Sequence, residues 1–141
     1  MNLIEKSLEI ALKAYAGQTD KAGKTYILHP LRIMAKMETE AEMAVALLHD
    51  VIEDSTYTSM DLLKEGVPPE VVDAVQVLTK VDGESYDQFI ARVMLNSLAM
   101  KVKIADIEDN INILRLEQVD KKDLERVAKY HKAWTTLQAN S

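Results

Sequence analysis

The sequence contains no cysteine and has only four glycine and three proline residues in 141. The absence of cysteine excludes disulfide-stabilised scaffolds and zinc–thiolate sites. Glycine and proline are the residues that interrupt helices most strongly, so their scarcity favours a helix-rich chain. Hydrophobic residues make up 48% of the sequence, which is typical of a globular protein rather than a disordered one.

An excess of positive charge is also missing. The chain has 17 Lys and Arg against 23 Asp and Glu, for a net charge of −6. Such a chain does not attract nucleic acid or an anionic membrane as a whole, so we expect neither as a partner. No apolar run has the length of a membrane span, and the first residues lack the uninterrupted apolar core of a signal peptide. We therefore expect a cytoplasmic protein, while its oligomeric state, monomer or dimer, is left open.

Apolar residues recur with the period of a helix along most of the chain. Helix-capping signals stand at Thr39, Ser85 and Asp120, and Pro30 suits the first turn of a short helix. No alternating strand pattern, repeat or linker is visible. The sequence therefore predicts one all-α domain over residues 1–141, a compact bundle of about six to eight helices.

Two neighbouring polar residues interrupt an apolar run in the middle of the chain. His49 and Asp50 follow the segment 44–48, which is entirely apolar, and Glu53 and Asp54 come one turn later. A buried charge is too costly to keep unless it is paired or binds a metal. In one continuous helix, the four side chains would share one edge. The alternative is an ordinary amphipathic helix with a histidine on its polar side.

Two further segments carry residues of the same types. His29 stands before Pro30, and Asp106 lies within the segment 102–107, which is apolar except for Lys103 and Asp106 itself. Each alone is typical of a loop or of a solvated helix face. Together with His49 and Asp50, they supply two imidazoles and two carboxylates. This set suits one divalent ion such as manganese, iron or zinc, with positions left open for water and substrate.

Two acids and an amide complete the candidate site. Glu53 and Asp54 lie one turn from the proposed ligands, where a carboxylate could accept a proton from the attacking water. Asn110 shares a helix face with Asp106. The third histidine, His131, is expected to be a surface or packing residue.

These motifs resemble a known enzyme family. His29-Pro30, His49-Asp50-x-x-Glu53-Asp54 and Lys103-Ile104-Ala105-Asp106 with Asn110 are similar, in order and spacing, to the hydrolase half of the RelA/SpoT alarmone enzymes. In particular, the chain resembles the small stand-alone alarmone hydrolases of the HD phosphohydrolase superfamily. The resemblance extends from about residue 5 to about residue 115.

The resemblance implies an all-α HD domain that removes pyrophosphate from the ribose 3′ position of guanosine tetra- or pentaphosphate, a nucleotide of the stringent response. It implies one Mn²⁺ held by His29, His49, Asp50 and Asp106. Glu53 and Asp54 would then activate the attacking water, and Asn110 would face the nucleotide. The length leaves no room for the synthetase domain of the family, so we expect a hydrolase only.

One departure concerns the loop before His29. The stand-alone hydrolases usually carry an Arg-Lys pair there, whereas this chain has Gln18 and Thr19. Glutamine cannot bind phosphate as a cation. Other basic residues are candidates for phosphate binding, although each could equally be a solvated surface charge: Lys21, Lys24, Lys80, Arg92 and Lys103.

The substrate is accordingly less well defined than the chemistry. An adenosine alarmone or another nucleotide with a ribose phosphate is an alternative to the guanosine compound. A nucleotide monophosphatase of the same superfamily and a catalytically inactive nucleotide-binding module are further alternatives. A third possibility is that the acidic helix faces bind a protein partner.

Overall fold

The structure is a computed structural model that describes all residues from Met1 to Ser141. It contains nine α-helical segments and one short 3₁₀-helix, Ile113–Arg115, between the last two. In chain order the α-helices are α1 Leu3–Ala14, α2 Leu28–Ala35, α3 Glu40–Leu48, α4 Val51–Asp54, α5 Ser59–Lys64, α6 Pro69–Val77, α7 Tyr86–Val93, α8 Ser97–Asn110 and α9 Lys121–Ala139. No strand is present, and one isolated bridge joins Thr19 and Thr25. The predicted all-α fold class is confirmed.

Local capping explains where most of the helices begin. Thr39, Ser85 and Asp120 each accept a hydrogen bond from the backbone three residues later, and each forms the reciprocal capping box. The same arrangement starts α1 at Asn2 and α5 at Thr58. Since these contacts lie within four consecutive residues, the helix starts are encoded locally in the sequence.

Helix α3 is the centre of the bundle. Its last five residues, from Ala44 to Leu48, are all buried, and the helix packs against α1, α2, α6 and α8. A helix that is apolar on every side requires neighbours on every side. Helices α2 and α8 also pack against each other. Residues at the ends of α2 and α3 and in the middle of α8 can therefore meet at one place.

The expectation of one continuous helix through His49 and Asp54 is wrong, because the helix breaks at His49 and Asp50. In a continuous helix the Asp50 N–H would donate to the Ala46 carbonyl. Here it donates to the Tyr15 hydroxyl at 3.1 Å, and Nδ1 of His49 lies 2.7 Å from the Ala46 oxygen. With α3 and α4 counted as one broken helix, the bundle has eight helices, within the predicted range.

The protein has no helix that is both long enough and apolar enough to cross a membrane.

Truncation of Ile10 should destabilise the bundle, because this side chain on α1 is fully buried. We expect Ile10→Ala to lower the free energy of unfolding by about 2–5 kcal/mol, measured by urea denaturation. Leu12 on the same helix is 52% exposed and serves as the matched control. Leu12→Ala should change stability by less than about 0.5 kcal/mol, and equal losses in both variants would contradict the assigned core face.

Candidate metal centre and adjoining cleft

Three helices bring the predicted metal ligands together. His29 is the second residue of α2, His49 and Asp50 form the break after α3, and Asp106 lies in α8. His29, His49 and Asp50 offer ligand atoms that all lie within 4.8 Å of one another. Asp106 is outside that set of three, yet its Oδ1 lies 2.8 Å from Nε2 of His29 and 3.5 Å from Nε2 of His49. The four residues thus surround one buried space.

Hydrogen bonds at Nδ1 orient both imidazole rings, and in each ring Nε2 is the nitrogen that faces Asp106. Nδ1 of His49 lies beside a carbonyl oxygen, that of Ala46, and Nδ1 of His29 lies 2.6 Å from Oδ2 of Asp109. Carbonyl and carboxylate oxygens only accept, so both Nδ1 atoms carry hydrogen. The two Nε2 atoms therefore point toward Asp106, and either can present a lone pair once its proton is lost.

A divalent cation fits this donor set. Nε2 of His49 is buried and has no hydrogen-bond partner, although Oδ2 of Asp50 lies 3.2 Å away. Ligand atoms about 2.1 Å from an ion and at right angles to each other would be about 3 Å apart. The separations between Nε2 and carboxylate oxygens in the site fall close to that spacing. Mixed nitrogen and oxygen donors are typical of transition-metal sites.

Asp109 is a buried residue to which the sequence assigned no function. Its carboxylate accepts from Nδ1 of His29, from Arg32 Nε at 2.7 Å and from Arg115 Nη1 at 3.2 Å. Burial opposes its ionisation, but the hydrogen bonds from His29 and Arg32 outweigh burial and hold the pKa of Asp109 far below its usual range. A carboxylate behind a ligating histidine fixes the ring and strengthens the ligand. Its position one turn after Asp106 is the sequence signal that could have identified it.

Asp50 and Asp106 are held by other side chains as well. The Tyr26 hydroxyl donates to Oδ2 of Asp50. Asp106 accepts from Lys103 Nζ at 2.9 Å and from Asn110 Nδ2 at 3.1 Å. Burial raises and the Lys103 ammonium lowers the pKa of Asp106, and the net pKa lies well below its usual range. Asn110, predicted to face the nucleotide, lies at the edge of the same site.

Glu53 and Asp54 lie on α4, at the outer edge of the site. Both side chains are exposed, and Oε1 of Glu53 accepts from the Lys80 backbone N–H at 3.3 Å. Partial loss of hydration and the nearby Asp50 carboxylate raise the pKa of Glu53, and the same causes raise the pKa of Asp54 to about 6. Carboxylates with a raised pKa are suited to accepting a proton near neutral pH.

A cleft of about 380 Å³ opens beside these residues, within the size range of small-molecule sites. Its wall includes His29, Asp50, Asp54 and Asn110, and the basic side chains that line it are Lys21, Arg32, Arg115 and Arg126. Tyr130 adds an aromatic side chain from α9. Arg126 and Tyr130 could not be identified from the sequence, because only the packing of α9 brings them to the cleft.

The other predicted phosphate-binding residues are placed differently. Lys24 and Lys80 are exposed and do not line the cleft. Arg92 is bound to Glu84 at 2.9 Å and donates to the carbonyls of Val77 and Thr79, so its guanidinium fixes the loop after α6.

Lys103 and the two residues in the position of the usual basic pair are also engaged within the protein. Lys103 is paired with Asp106 and is neither a free helix-surface charge nor part of the cleft wall. Gln18 donates from Nε2 to the Asp54 carbonyl at 3.0 Å, while Thr19 lines the cleft. Of the five basic residues predicted for phosphate binding, the structure places Lys21 in the cleft wall.

Comparison with known proteins gives several matches to alarmone enzymes. The chain is 32% identical over 133 residues to a guanosine-3′,5′-bis(diphosphate) 3′-pyrophosphohydrolase of Vibrio cholerae, a match that covers 84% of this chain and 19% of that protein. It is also 32% identical over 127 residues to the bifunctional (p)ppGpp synthase/hydrolase SpoT of Escherichia coli, covering 80% of this chain and 18% of SpoT. The chain thus spans about a fifth of the length of these curated relatives. No protein-family model matches it.

A solved structure has the same fold. It is described as a metazoan ortholog of SpoT that hydrolyzes ppGpp and plays a role in starvation responses. The TM-score is 0.76 with 20% sequence identity, and the match covers 97% of this chain and 85% of that one. This likeness establishes the arrangement of the helices.

Metal affinity should rise with pH. Burial lowers the pKa of His29 and of His49, but hydrogen bonds and charges from Asp106, Asp109 and Asp50 outweigh it and raise both pKa values. An imidazole must lose its Nε2 proton before it can ligate, so protons compete with the cation. We expect Mn²⁺ affinity, measured by calorimetry, to increase about tenfold per pH unit for each proton displaced. Affinity independent of pH would contradict ligation by these imidazoles.

Removal of the Asp109 charge should weaken metal binding without removing a ligand. We expect Asp109→Asn to reduce Mn²⁺ affinity by about 10–100-fold, because the His29 ring loses its anionic support. Asp87→Asn is the control, since that side chain is 81% exposed on α7. Unchanged affinity in Asp109→Asn would show that Asp109 does not support the ligand.

Proposed function

The chain is a homologue of (p)ppGpp hydrolases of the RelA/SpoT type, as its motifs indicated, and we propose that it removes pyrophosphate from the ribose 3′ position of guanosine tetra- or pentaphosphate. The observation that carries this proposal is the convergence of two imidazoles and two carboxylates at one buried site, with Glu53 and Asp54 at its edge. The relatives are about five times longer, so we do not propose their other activities for this chain. The predicted cytoplasmic location is part of the proposal.

One Mn²⁺ would be held by His29, His49, Asp50 and Asp106. When bound, such an ion polarises phosphate oxygens and makes a neighbouring water a better nucleophile. A divalent ion also balances the charge of the two buried carboxylates. Other divalent transition metals use the same donor types, so manganese is the proposed ion on the basis of the family resemblance.

The proposed reaction is hydrolysis of the phosphoester bond to the 3′ oxygen. The water oxygen forms a bond to the adjoining phosphorus, the bond from that phosphorus to the 3′ oxygen breaks, and the electron pair stays on the ribose oxygen. Glu53 or Asp54 takes the water proton, and the ribose oxygen gains one. Both acids lie next to Asp50, whose charge favours their holding a proton. General-base assistance of this kind contributes roughly two to four decades in rate.

The charge of the cleft supports a phosphate-rich substrate. Lys21, Arg32, Arg115 and Arg126 bring cations from four different parts of the chain to one wall, which also carries Asp20, Asp50 and Asp54. Arg126 pairs with Asp123 at 2.7 Å. Arg32 and Arg115 share one carboxylate, Asp109, so this pair retains a net positive charge. Guanidinium groups fork onto phosphate oxygens. In this way the cleft can bind the phosphates of a nucleotide although Gln18 and Thr19 replace the basic pair.

The proposal has two candidates for the purine base of the substrate. Because the loop at Gln18 and Thr19 departs from the usual pattern, an adenosine alarmone is the second candidate. The direct test is turnover by metal-stripped protein with Mn²⁺ added back, on guanosine tetraphosphate and its adenosine analogue side by side, with release of pyrophosphate quantified. We expect release from the guanosine compound only when Mn²⁺ is present. Orthophosphate in place of pyrophosphate would instead assign a phosphatase, and no release with metal bound would favour a binding module.

Glu53→Gln should separate catalysis from metal binding. The amide keeps the shape of the side chain but cannot take up a proton, so we expect Mn²⁺ retention to be unchanged and turnover to fall by roughly two to four decades. Glu70→Gln, at an exposed position in α6, is the control and should retain full turnover. A Glu53→Gln enzyme with normal turnover would assign proton transfer to Asp54 or to another group.

A further inference from the structure

We propose that Lys103 is a positioning residue that restricts Asp106 to binding the metal through one oxygen, and so keeps coordination positions open for water and substrate. This inference rests on the metal site of the proposed function. It concerns a lysine for which the sequence predicted a different task, contact with substrate phosphate.

The two oxygens of the Asp106 carboxylate face different partners. Oδ1 lies 2.8 Å from Nε2 of His29 and 3.5 Å from Nε2 of His49, and it accepts from Asn110 at 3.1 Å. Oδ2 accepts from Nζ of Lys103 at 2.9 Å. Oδ1 is therefore the oxygen that shares the space of the imidazole nitrogens, and Oδ2 is engaged by an ammonium group.

The position of Lys103 holds this arrangement in place. Its side chain is only 14% exposed, and its ammonium lies 5.2 Å from the centre of the Phe89 ring. Asp106 is its one carboxylate partner within ion-pair distance. Both residues lie on α8 one turn apart, so the helix itself fixes their separation. Loss of the contact would leave an ammonium buried without a counter-charge, which is costly.

The ion pair has opposite effects on the affinity for the metal and on the number of coordination positions left for water and substrate. A six-coordinate ion with four single-atom protein ligands keeps two positions for other molecules. Binding through both oxygens of Asp106 would close one of them. The Lys103 charge also repels a cation in the neighbouring site. Lys103 therefore weakens metal binding while it preserves the positions that hydrolysis needs.

The test is Lys103→Met, which keeps an unbranched side chain against Phe89 but removes the ammonium. We expect Mn²⁺ to bind at least several-fold more tightly in calorimetry. At the same time, the water-proton relaxation enhancement of the bound Mn²⁺, which reports exchangeable water on the ion, should fall by about half. Both measurements use the full chain without nucleotide, so they are independent of which substrate the enzyme accepts.

Lys101→Met is the matched control. Lys101 is two residues earlier on α8, is 39% exposed and pairs with Glu42 at 3.0 Å, away from the site. It should leave both Mn²⁺ affinity and relaxation unchanged. Lys103→Gln is the second uncharged variant, and either Lys103 variant that retains its helical circular dichroism reports on the proposal.

Unaltered relaxation in a folded Lys103 variant would overturn the proposal, as would weaker Mn²⁺ binding. Failure of the unaltered protein to bind Mn²⁺ would overturn the metal site itself. Normal metal behaviour without pyrophosphate release would count against the proposed substrate alone.

Discussion

The cost of burying the Asp106 carboxylate is the constraint around which this protein is organised. An isolated charge at that depth would be unstable, so the fold surrounds it with polar groups from three directions. His29 comes from α2, and Lys103 and Asn110 come from the same helix as Asp106 itself. Nε2 of His49, which follows α3, lies 3.5 Å from the carboxylate without a hydrogen bond. The mutual packing of α2, α3 and α8 is therefore inseparable from the satisfaction of this one group. The polar groups that surround Asp106 are thus the same groups that form the candidate metal site.

The break between α3 and α4 follows from the same logic. A continuous helix would satisfy its backbone but would fix His49 and Asp50 on its surface at regular spacing. Here the Tyr15 hydroxyl accepts from the Asp50 N–H and donates to the Leu47 carbonyl, so the residue that follows α1 satisfies two of the backbone groups at the break. Nδ1 of His49 donates to the carbonyl of Ala46, and this hydrogen bond orients the ring. At this break, hydrogen bonds to side chains replace the backbone hydrogen bonds of a regular helix, and they fix the orientation of His49 and Asp50.

How far the sequence could predict this structure depends on how local each feature is. Capping at Thr39, Ser85 and Asp120 lies within four residues, and the helix starts were predicted there. The ligand set was predicted from residue types and spacing, since a buried carboxylate needs a partner wherever it lies. The helix break was missed because its cause, Tyr15, lies 35 residues from Asp50. Arg126 and Tyr130 were missed because their proximity to the site arises from the packing of α9 alone. Arg92 and Lys103 were predicted to bind phosphate because their carboxylate partners, Glu84 and Asp106, are visible only in the folded chain.

The loop between α1 and α2 contrasts with the buried site. It contributes Thr19 and Lys21 to the cleft wall, yet it is largely exposed and has its ends fixed by backbone contacts, such as those from the Tyr26 N–H to the Gln18 carbonyl at 2.9 Å. Substitutions at its exposed positions disturb no buried charge and no core packing. Residues at these exposed loop positions can therefore be exchanged without disturbing the buried side chains beneath them. The loop and the side chains of the proposed metal site thus differ in how strongly the fold constrains them, since His29, His49 and Asp106 are buried and most of the loop is not.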